Sequence, residues 1–540
     1  MVPAMRGRPP ESAAEGRRGD LEFRSLPAML ARCVERFGGS AAIEEGGRTL
    51  SFHELAQDVE RAARAFVAAE VQAGDRVAIW APNVSEWIVA ALGVQSAGGV
   101  VVPINTRFKG GEAAYVLARS RARLLLTVNG FLGTDYVALL ARADVDLPEL
   151  RGTVVLRGDA PDGTRAWDEF LAGADAVDPA EVERRTAAIA PDDLCDILFT
   201  SGTTGNPKGA LSTHAQTLRA FRDWSDVVGL RAGDRYLVVV PFFHSFGYKA
   251  GWLSALMMGA TVLPHLVFDA AEVMRRIAPD RVSVLPGPPA LYQSILTHPE
   301  FGDHDLGSLR LAVTGAASIP VELIRRMGDT MGFETIITGY GLTEATGIAT
   351  MCRYDDDPET IATTSGRAIP GVEVLVVDDA GAEVPRGEPG EVVVRGYNVT
   401  QGFLDDPEET ARAIDAEGFL HTGDIGVMDA RGYLRITDRK KDMFIVGGFN
   451  AYPAEIENLL LTHPCVAHAA VIGVPHERLG EVAKAFVVLR ADEAPVTEQS
   501  LVAWSREAMA NYKVPRSFEF VGALPRNATG KVQKFKLRAR

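Results

Sequence analysis

Short aliphatic and β-branched runs alternate with longer stretches of helical periodicity over most of the chain. Residues 76–80 (RVAIW) have the continuous apolar character of a buried strand, 85–97 carry small and apolar residues on one side of a helix, and 100–103 restart a strand. The rhythm recurs at 124–128, 236–240, 282–285 and 311–314. Strand, helix, strand at this spacing predicts parallel sheets covered by helices. After about Arg367 the pattern changes. Segments 372–377, 391–395 and 433–436 alternate apolar and polar positions and are joined by turns such as Asp379-Ala380-Gly381 and Ala430-Arg431-Gly432, which predicts antiparallel pairing. Beyond Asp438 the pattern predicts a compact α+β segment with helices at 453–461 and 498–509 and strands at 467–473 and 483–489.

The expected class is therefore α/β: a large N-terminal domain of parallel α/β sheets with a small antiparallel β subdomain, then a small α+β C-terminal domain. A frayed tail is expected at 1–24, the large domain at 25–437 and the small one at 438–540, with the charged run Asp438-Arg439-Lys440-Lys441-Asp442 between them. Length supports the division, because 540 residues exceed the roughly 250–300 that one core organises. Apolar residues at 47% and charged residues at 24% exclude a disordered or collagen-like chain.

A net charge of −15 argues against a protein that coats nucleic acid or anionic membrane. Any phosphate-bearing ligand must then be held by local cations and backbone N–H groups. Cys33, Cys195, Cys352 and Cys465 are far apart and form no C-x-x-C unit, so neither a zinc cage nor a disulfide framework is expected. The opening residues lack the apolar core of a signal peptide, and the longest uncharged apolar stretch, 250–264, is too short to cross a bilayer. A cytoplasmic location is expected.

Residues 197–209 read ILFTSGTTGNPKG, an apolar strand followed by hydroxyls, glycines and one lysine. Glycines 202, 205 and 209 let the backbone turn sharply and aim N–H groups at an anion. Ser201, Thr203 and Thr204 add hydroxyl donors, and Lys208 adds a mobile charge. A Walker A loop needs Gly-Lys-Ser/Thr where this chain has Pro207-Lys208-Gly209.

The loop resembles the signature of the adenylate-forming superfamily, which includes acyl-CoA synthetases, aryl-CoA ligases, luciferases and peptide-synthetase adenylation domains. Tyr340-Gly341-Leu342-Thr343-Glu344, Thr422-Gly423-Asp424, Asp438-Arg439, Gly447-Gly448 and Pro525-Arg526-Asn527-Ala528-Thr529-Gly530-Lys531 follow in the family's order and approximate spacing. The resemblance runs from about residue 25 to the C-terminus.

It implies two half-reactions: a carboxylate attacks the α-phosphorus of ATP to give an acyl-adenylate and pyrophosphate, and a thiol then displaces AMP. Carried over residue by residue, Thr200, Ser201, Gly202, Thr203, Thr204, Gly205 and Lys208 would hold the phosphates. Glu344 would hold Mg²⁺ with Thr343 beside it. Gly315, Ala316, Ala317 and Gly341 would line the adenine site, with Tyr340 stacked on the base. Asp424 would bind the ribose hydroxyls, supported by Arg439, and Lys531 would bridge the carboxylate and the α-phosphate. Because Lys531 and a thiol need the same path, the resemblance implies a mobile small domain hinged at Lys441, with Gly447 and Gly448 lining the thiol tunnel in the second state.

The run 241–247 (PFFHSFG) is similar to the aromatic/His segment of acyl-CoA synthetases, which implies an acyl pocket from Phe242, Phe243, His244 and Gly341, with His244 near the reacting carboxylate. The stretches FFHSFGYKAG, VLPGPPALYQSIL, TGAASIP, GYGLTEATGIATMCR and IVGGFNAYPAE look most like actinobacterial CoA ligases that activate the propanoate side chain left on the sterol C and D rings. Medium-chain fatty-acid and aryl-acid ligases are the alternatives. A carrier-protein adenylation enzyme and an inactive nucleotide-binding sensor stand further off. The expected partners are a carboxylic acid, ATP and CoA, with Mg²⁺ as cofactor and no nucleic acid; a homodimer is left open.

Overall fold

The structure is a computed structural model that describes residues 18–201, 206–315, 319–439, 444–490, 496–525, 532 and 534–538. Its first large sheet runs, from one edge, through Pro207–Thr213, Leu194–Ser201, Val100–Pro103, Arg76–Trp80, Leu124–Phe131, Gly152–Arg157 and Arg165–Ala166. Along this path every neighbouring pair is parallel except Leu194–Ser201 with Pro207–Thr213. Helix Ser85–Ser96 explains how this sheet joins the rest of the domain. It is buried at every position from Trp87 to Ser96, as expected of a helix that is apolar on all sides and packed between layers.

A second sheet contains Arg235–Val238, Thr261–Pro264, Ala41–Glu45 and Arg48–Ser51, and a third Leu311–Gly315, Thr335–Tyr340, Thr350–Met351 and Arg367–Ala368. The predicted strand at 282–285 is instead a bridge between these two: only Val284 pairs, in parallel with Tyr236 on one side and Leu311 on the other. The predicted N-terminal tail also ends earlier than expected. Gly19–Phe23 is a helix whose Phe23 is 2% exposed, and Glu22 reaches the buried Arg222 guanidinium at 2.7 Å.

The antiparallel sheet contains the three predicted strands and one that was not predicted, Leu420–Met428, in the order Val372–Val377, Pro389–Gly396, Leu420–Met428, Leu434–Arg439. The C-terminal sheet runs Phe449–Ala451, Phe444–Val446, Gly480–Leu489, Val466–His476, with Ser517–Phe520 paired in parallel to Gly480–Leu489. Its first hairpin turns on Gly447-Gly448, at φ 56° and 88°. Both lie in the left-handed region that glycine enters without a Cβ clash. No described helix is long and apolar enough to cross a membrane.

Candidate active site

Residues from the large parallel sheets, the antiparallel sheet and the C-terminal sheet all line one cavity of about 1460 Å³. The glycine-threonine motif enters it as a β-hairpin. Thr200 and Lys208 are cross-strand partners below the turn and both line the cavity. Residues 202–205, which include the predicted Gly202, Thr203, Thr204 and Gly205, lie outside the described residues, and Ser201 is described only as a strand position. Lys208 Nζ stands 2.6 Å from Glu409 Oε1 and 5.8 Å from the Phe403 ring centroid. Thr200 Oγ1 donates to Glu344 Oε1 at 2.9 Å, so the hairpin and the Tyr340–Glu344 motif meet through side chains.

The base of this hairpin is clamped by a charge that the sequence reading left unassigned. Lys249 and Asp196 are both fully buried, 3.0 Å apart, and Lys249 Nζ also donates to Ser212 Oγ at 2.9 Å. Asp196 and Ser212 face each other across the two hairpin strands. One ammonium therefore ties both strands to the helical segment that follows His244.

Gly315 pairs with Gly339 of the neighbouring parallel strand. A Cβ on Gly315 would stand 2.7 Å from the Gly339 carbonyl oxygen, and one on Gly341 would stand 2.2 Å from that of Gly347. Close approach of neighbouring backbone thus excludes a side chain at both positions. Tyr340 donates its hydroxyl to Asp424 Oδ2 at 2.6 Å. Asp424 is 6% exposed and pairs across the antiparallel sheet with Arg439, which is described here only as a strand position. Thr343, Glu344 and Asp424 all line the cavity. Ala316 and Ala317 lie outside the described residues.

On the acyl side His244 is solvent-accessible and lines the cavity. Its Nδ1 accepts from Phe246 N at 3.2 Å, and enclosure by protein lowers its pKa to about 4. The imidazole is therefore neutral near pH 7, with its proton assigned to Nε2. Phe243, Phe246, Trp224 and Ile348 line the same space. Phe242 does not, contrary to expectation. It is fully buried with its ring 5.7 Å from that of Trp87, and its N–H is held by Asn83 Oδ1 at 2.7 Å. Leu266, Val267 and Phe268 add an exposed apolar edge to the cavity.

Gly447 and Gly448 bring the C-terminal sheet to the opposite side, together with Asn450, Tyr452 and Tyr512. Lys441 and Lys531 lie outside the described residues. Leu524 and Leu537, which flank Lys531, pack on Ala470, Ile472 and Phe486, and no described residue beyond Tyr512 lines the cavity. The sequence reading also missed Glu409 and the apolar edge. An uncharged Leu266-Val267-Phe268 run just after a strand was the available signal for the edge; for Glu409 there was none.

The description "AMP-binding enzyme" matches residues 30–404, and "AMP-binding enzyme C-terminal domain" matches 455–531. Two curated relatives bear the name of a methyl-dioxo-octahydroindenyl-propanoyl:CoA ligase. The one from Mycobacterium tuberculosis is 51% identical over 96% of this chain and 99% of its own length. The one from Rhodococcus jostii is 48% identical over 95% and 98%. Among solved structures, a double mutant of o-succinylbenzoate CoA synthetase from Bacillus subtilis, bound with its product analogue OSB-NCoA, matches at a TM-score of 0.77 and 27% identity, over 95% of this chain and 98% of that one.

Proposed function

The chain belongs to the AMP-binding enzyme family, and from that membership we propose an AMP-forming acid–CoA ligase whose acid is a propanoate carried on an apolar bicyclic dione. The observation that carries this reading is convergence. The phosphate hairpin, Glu344, the Tyr340–Asp424 pair, the neutral His244 and the Gly447-Gly448 hairpin all face one cavity. Two relatives named for this class of acid cover almost the whole chain. The lining contributed by 241–250 and 266–268 is apolar or neutral, which suits such a ring system better than a zwitterion.

In the first step a carboxylate oxygen bonds to the α-phosphorus and the bond to pyrophosphate breaks. Carboxylates are weak nucleophiles, so positioning and charge neutralisation must supply most of the acceleration. Lys208 and the N–H groups of its hairpin hold the triphosphate once Glu409 is displaced from the ammonium. Asp424, oriented by Tyr340, takes the ribose hydroxyls, and Lys531 meets the charge that develops between carboxylate and phosphate. One cavity-facing carboxylate beside hydroxyls suits Mg²⁺, which takes few protein oxygens and shares phosphate oxygens. Glu344 with Thr343 would hold it, and the ion would contribute charge neutralisation on the triphosphate.

In the second step the thiol of CoA attacks the acyl carbon and AMP leaves. Gly447-Gly448, already at the cavity, supply the side-chain-free wall along which a pantetheine arm passes. We place the domain boundary at 438–442, where the antiparallel sheet ends and the C-terminal sheet begins, and we place Lys441 at the hinge. ATP and CoA are cytoplasmic metabolites, which puts the reaction there.

The test is AMP release by the purified protein with ATP, Mg²⁺, CoA and a series of acids. The bicyclic dione propanoate should have the highest kcat/KM, medium-chain and aryl acids lower values, and amino acids none. No CoA-dependent AMP release with any acid would overturn the ligase. Preference for an unbranched medium-chain acid would overturn only the substrate.

A further inference from the structure

Lys513 follows the helix Glu498–Ala508 of the small domain, and its side chain is fully buried. Its Nζ stands 2.6 Å from Glu455 Oε1 and 2.6 Å from Glu112 Oε1. Glu455 belongs to the small domain, in helix Pro453–Leu461. Glu112 belongs to the large domain, in helix Gly110–Ser120. The same ammonium lies 4.4 Å from the ring centroid of Phe108, again of the large domain. Next to it Arg107 sits 4.6 Å over the Phe449 ring, and that ring stacks on Tyr512 at 5.0 Å.

A buried ammonium shared by two carboxylates is stable only while both remain in place, because the loss of one partner leaves charge uncompensated in a dry interface. Lys513 and Glu455 move together, since both belong to the small domain. Glu112 does not. Any rotation of the small domain that carries Gly447-Gly448 away from the cavity takes the ammonium with it and returns the Glu112 carboxylate to water. The Glu112 contact thus contributes free energy to one arrangement, the one with the glycine hairpin at the cavity, and nothing to the other.

We propose that Glu112 and Lys513 form an interdomain clasp that favours the arrangement for thiol attack and so sets how the protein divides its time between its two half-reactions, an inference that rests on the acid–CoA ligase reading above. Glu112 is here a positioning residue; it touches no substrate. Lys109 N donates to Glu112 Oε2 at 2.8 Å, and a glutamine keeps an oxygen for that helix cap while withdrawing the charge from Lys513.

The experiment compares wild type with Glu112→Gln in the full chain, measuring acid-dependent exchange of labelled pyrophosphate into ATP and, separately, single-turnover thioester formation from preformed acyl-adenylate and CoA. Exchange should stay within about twofold of wild type, while thioester formation should slow by on the order of tenfold to a hundredfold. Lys513→Met combined with Glu112→Gln should be no slower in the thiol step than Lys513→Met alone, because the clasp is lost once. Equal slowing of both half-reactions by Glu112→Gln, or of neither, would overturn the clasp. Failure of wild type in either half-reaction would instead overturn the ligase reading on which it rests.

Discussion

Glu344 and Lys249 are both charged groups in confined surroundings, and their neighbours assign them opposite kinds of work. Glu344 lines the cavity and accepts from the Thr200 hydroxyl through Oε1 at 2.9 Å, which puts its carboxylate where a ligand can meet it. Glu344→Gln keeps the acceptor and removes the charge. Pyrophosphate exchange should fall by on the order of a hundredfold, the loss expected when a group that meets developing charge is neutralised, with stability to urea unchanged. Lys249 is buried, with its ammonium against Asp196, Ser212 and the Tyr248 ring. Lys249→Met strands a buried carboxylate and should cost about 3–5 kcal/mol in urea unfolding, while adding Asp196→Asn should restore part of the loss. Exposure of this kind was only half legible beforehand. Phe242 and Phe243 are adjacent aromatics with the same chemistry, and which of them faces the ligand is decided by Asn83, 159 positions away in the chain. No local pattern marks Lys249, because its partner Asp196 lies on a strand that one-dimensional pattern cannot bring next to it.

Elements were more legible where a single local rule governs them. The apolar runs at 76–80 and 100–103 became parallel neighbours in register, and alternation at 372–377 became an antiparallel strand. The run at 282–285 has the same composition but makes only a one-residue bridge, since its pairing depends on where two other strands leave room. The helix Gly19–Phe23 was missed because its stability comes from Phe23 and the Glu22–Arg222 pair rather than from its own five residues. A related long-range tie gives a pH prediction. His214 opens the helix His214–Val228, and its Nδ1 accepts from Leu26 N at 3.2 Å, docking the helix Leu26–Phe37. Burial lowers its pKa from 6.5 to about 4. The folded state holds this ring neutral while the unfolded chain protonates it, so its contribution is complete above about pH 6.5 and is lost as pH falls toward 4, on the order of 3 kcal/mol. Asp223, raised to about 6 by burial, acts in the opposite direction by keeping its proton longer in the folded state. His214→Asn keeps an acceptor for Leu26 and removes the titration. The urea midpoint at pH 5 relative to that at pH 7 should therefore be higher for the variant than for wild type.

At the scale of the whole molecule the proposed two-step reaction calls for two arrangements of the same chain. The described residues hold the one with Gly447-Gly448 at the cavity and Lys513 on Glu112, while the flanks of Lys531 pack against the small domain's own sheet at Leu524 and Leu537. On the reading proposed above, adenylation would need Lys531 at the phosphate, and both demands would fall on one route into the cavity. Strand Leu434–Arg439 belongs to the antiparallel sheet and strand Phe444–Val446 to the C-terminal sheet. Residues 440–443 join them in sequence, and we propose that a change of direction between arrangements is absorbed there or at the strand ends. Lys441→Pro fixes φ near about −65° and pushes Lys440 away from the helical region, which restricts the proposed hinge. Adenylation comes first and commits the acid, and a protein arrested after it should accumulate acyl-adenylate. We expect Lys441→Pro to retain pyrophosphate exchange while slowing thioester formation from preformed acyl-adenylate by on the order of a hundredfold. Combining it with Glu112→Gln separates the two devices. If the hinge alone limits access to the second arrangement, loss of the clasp adds little to the proline effect. If the clasp also draws the small domain into place, the double variant is slower than Lys441→Pro alone by about the factor that Glu112→Gln costs by itself.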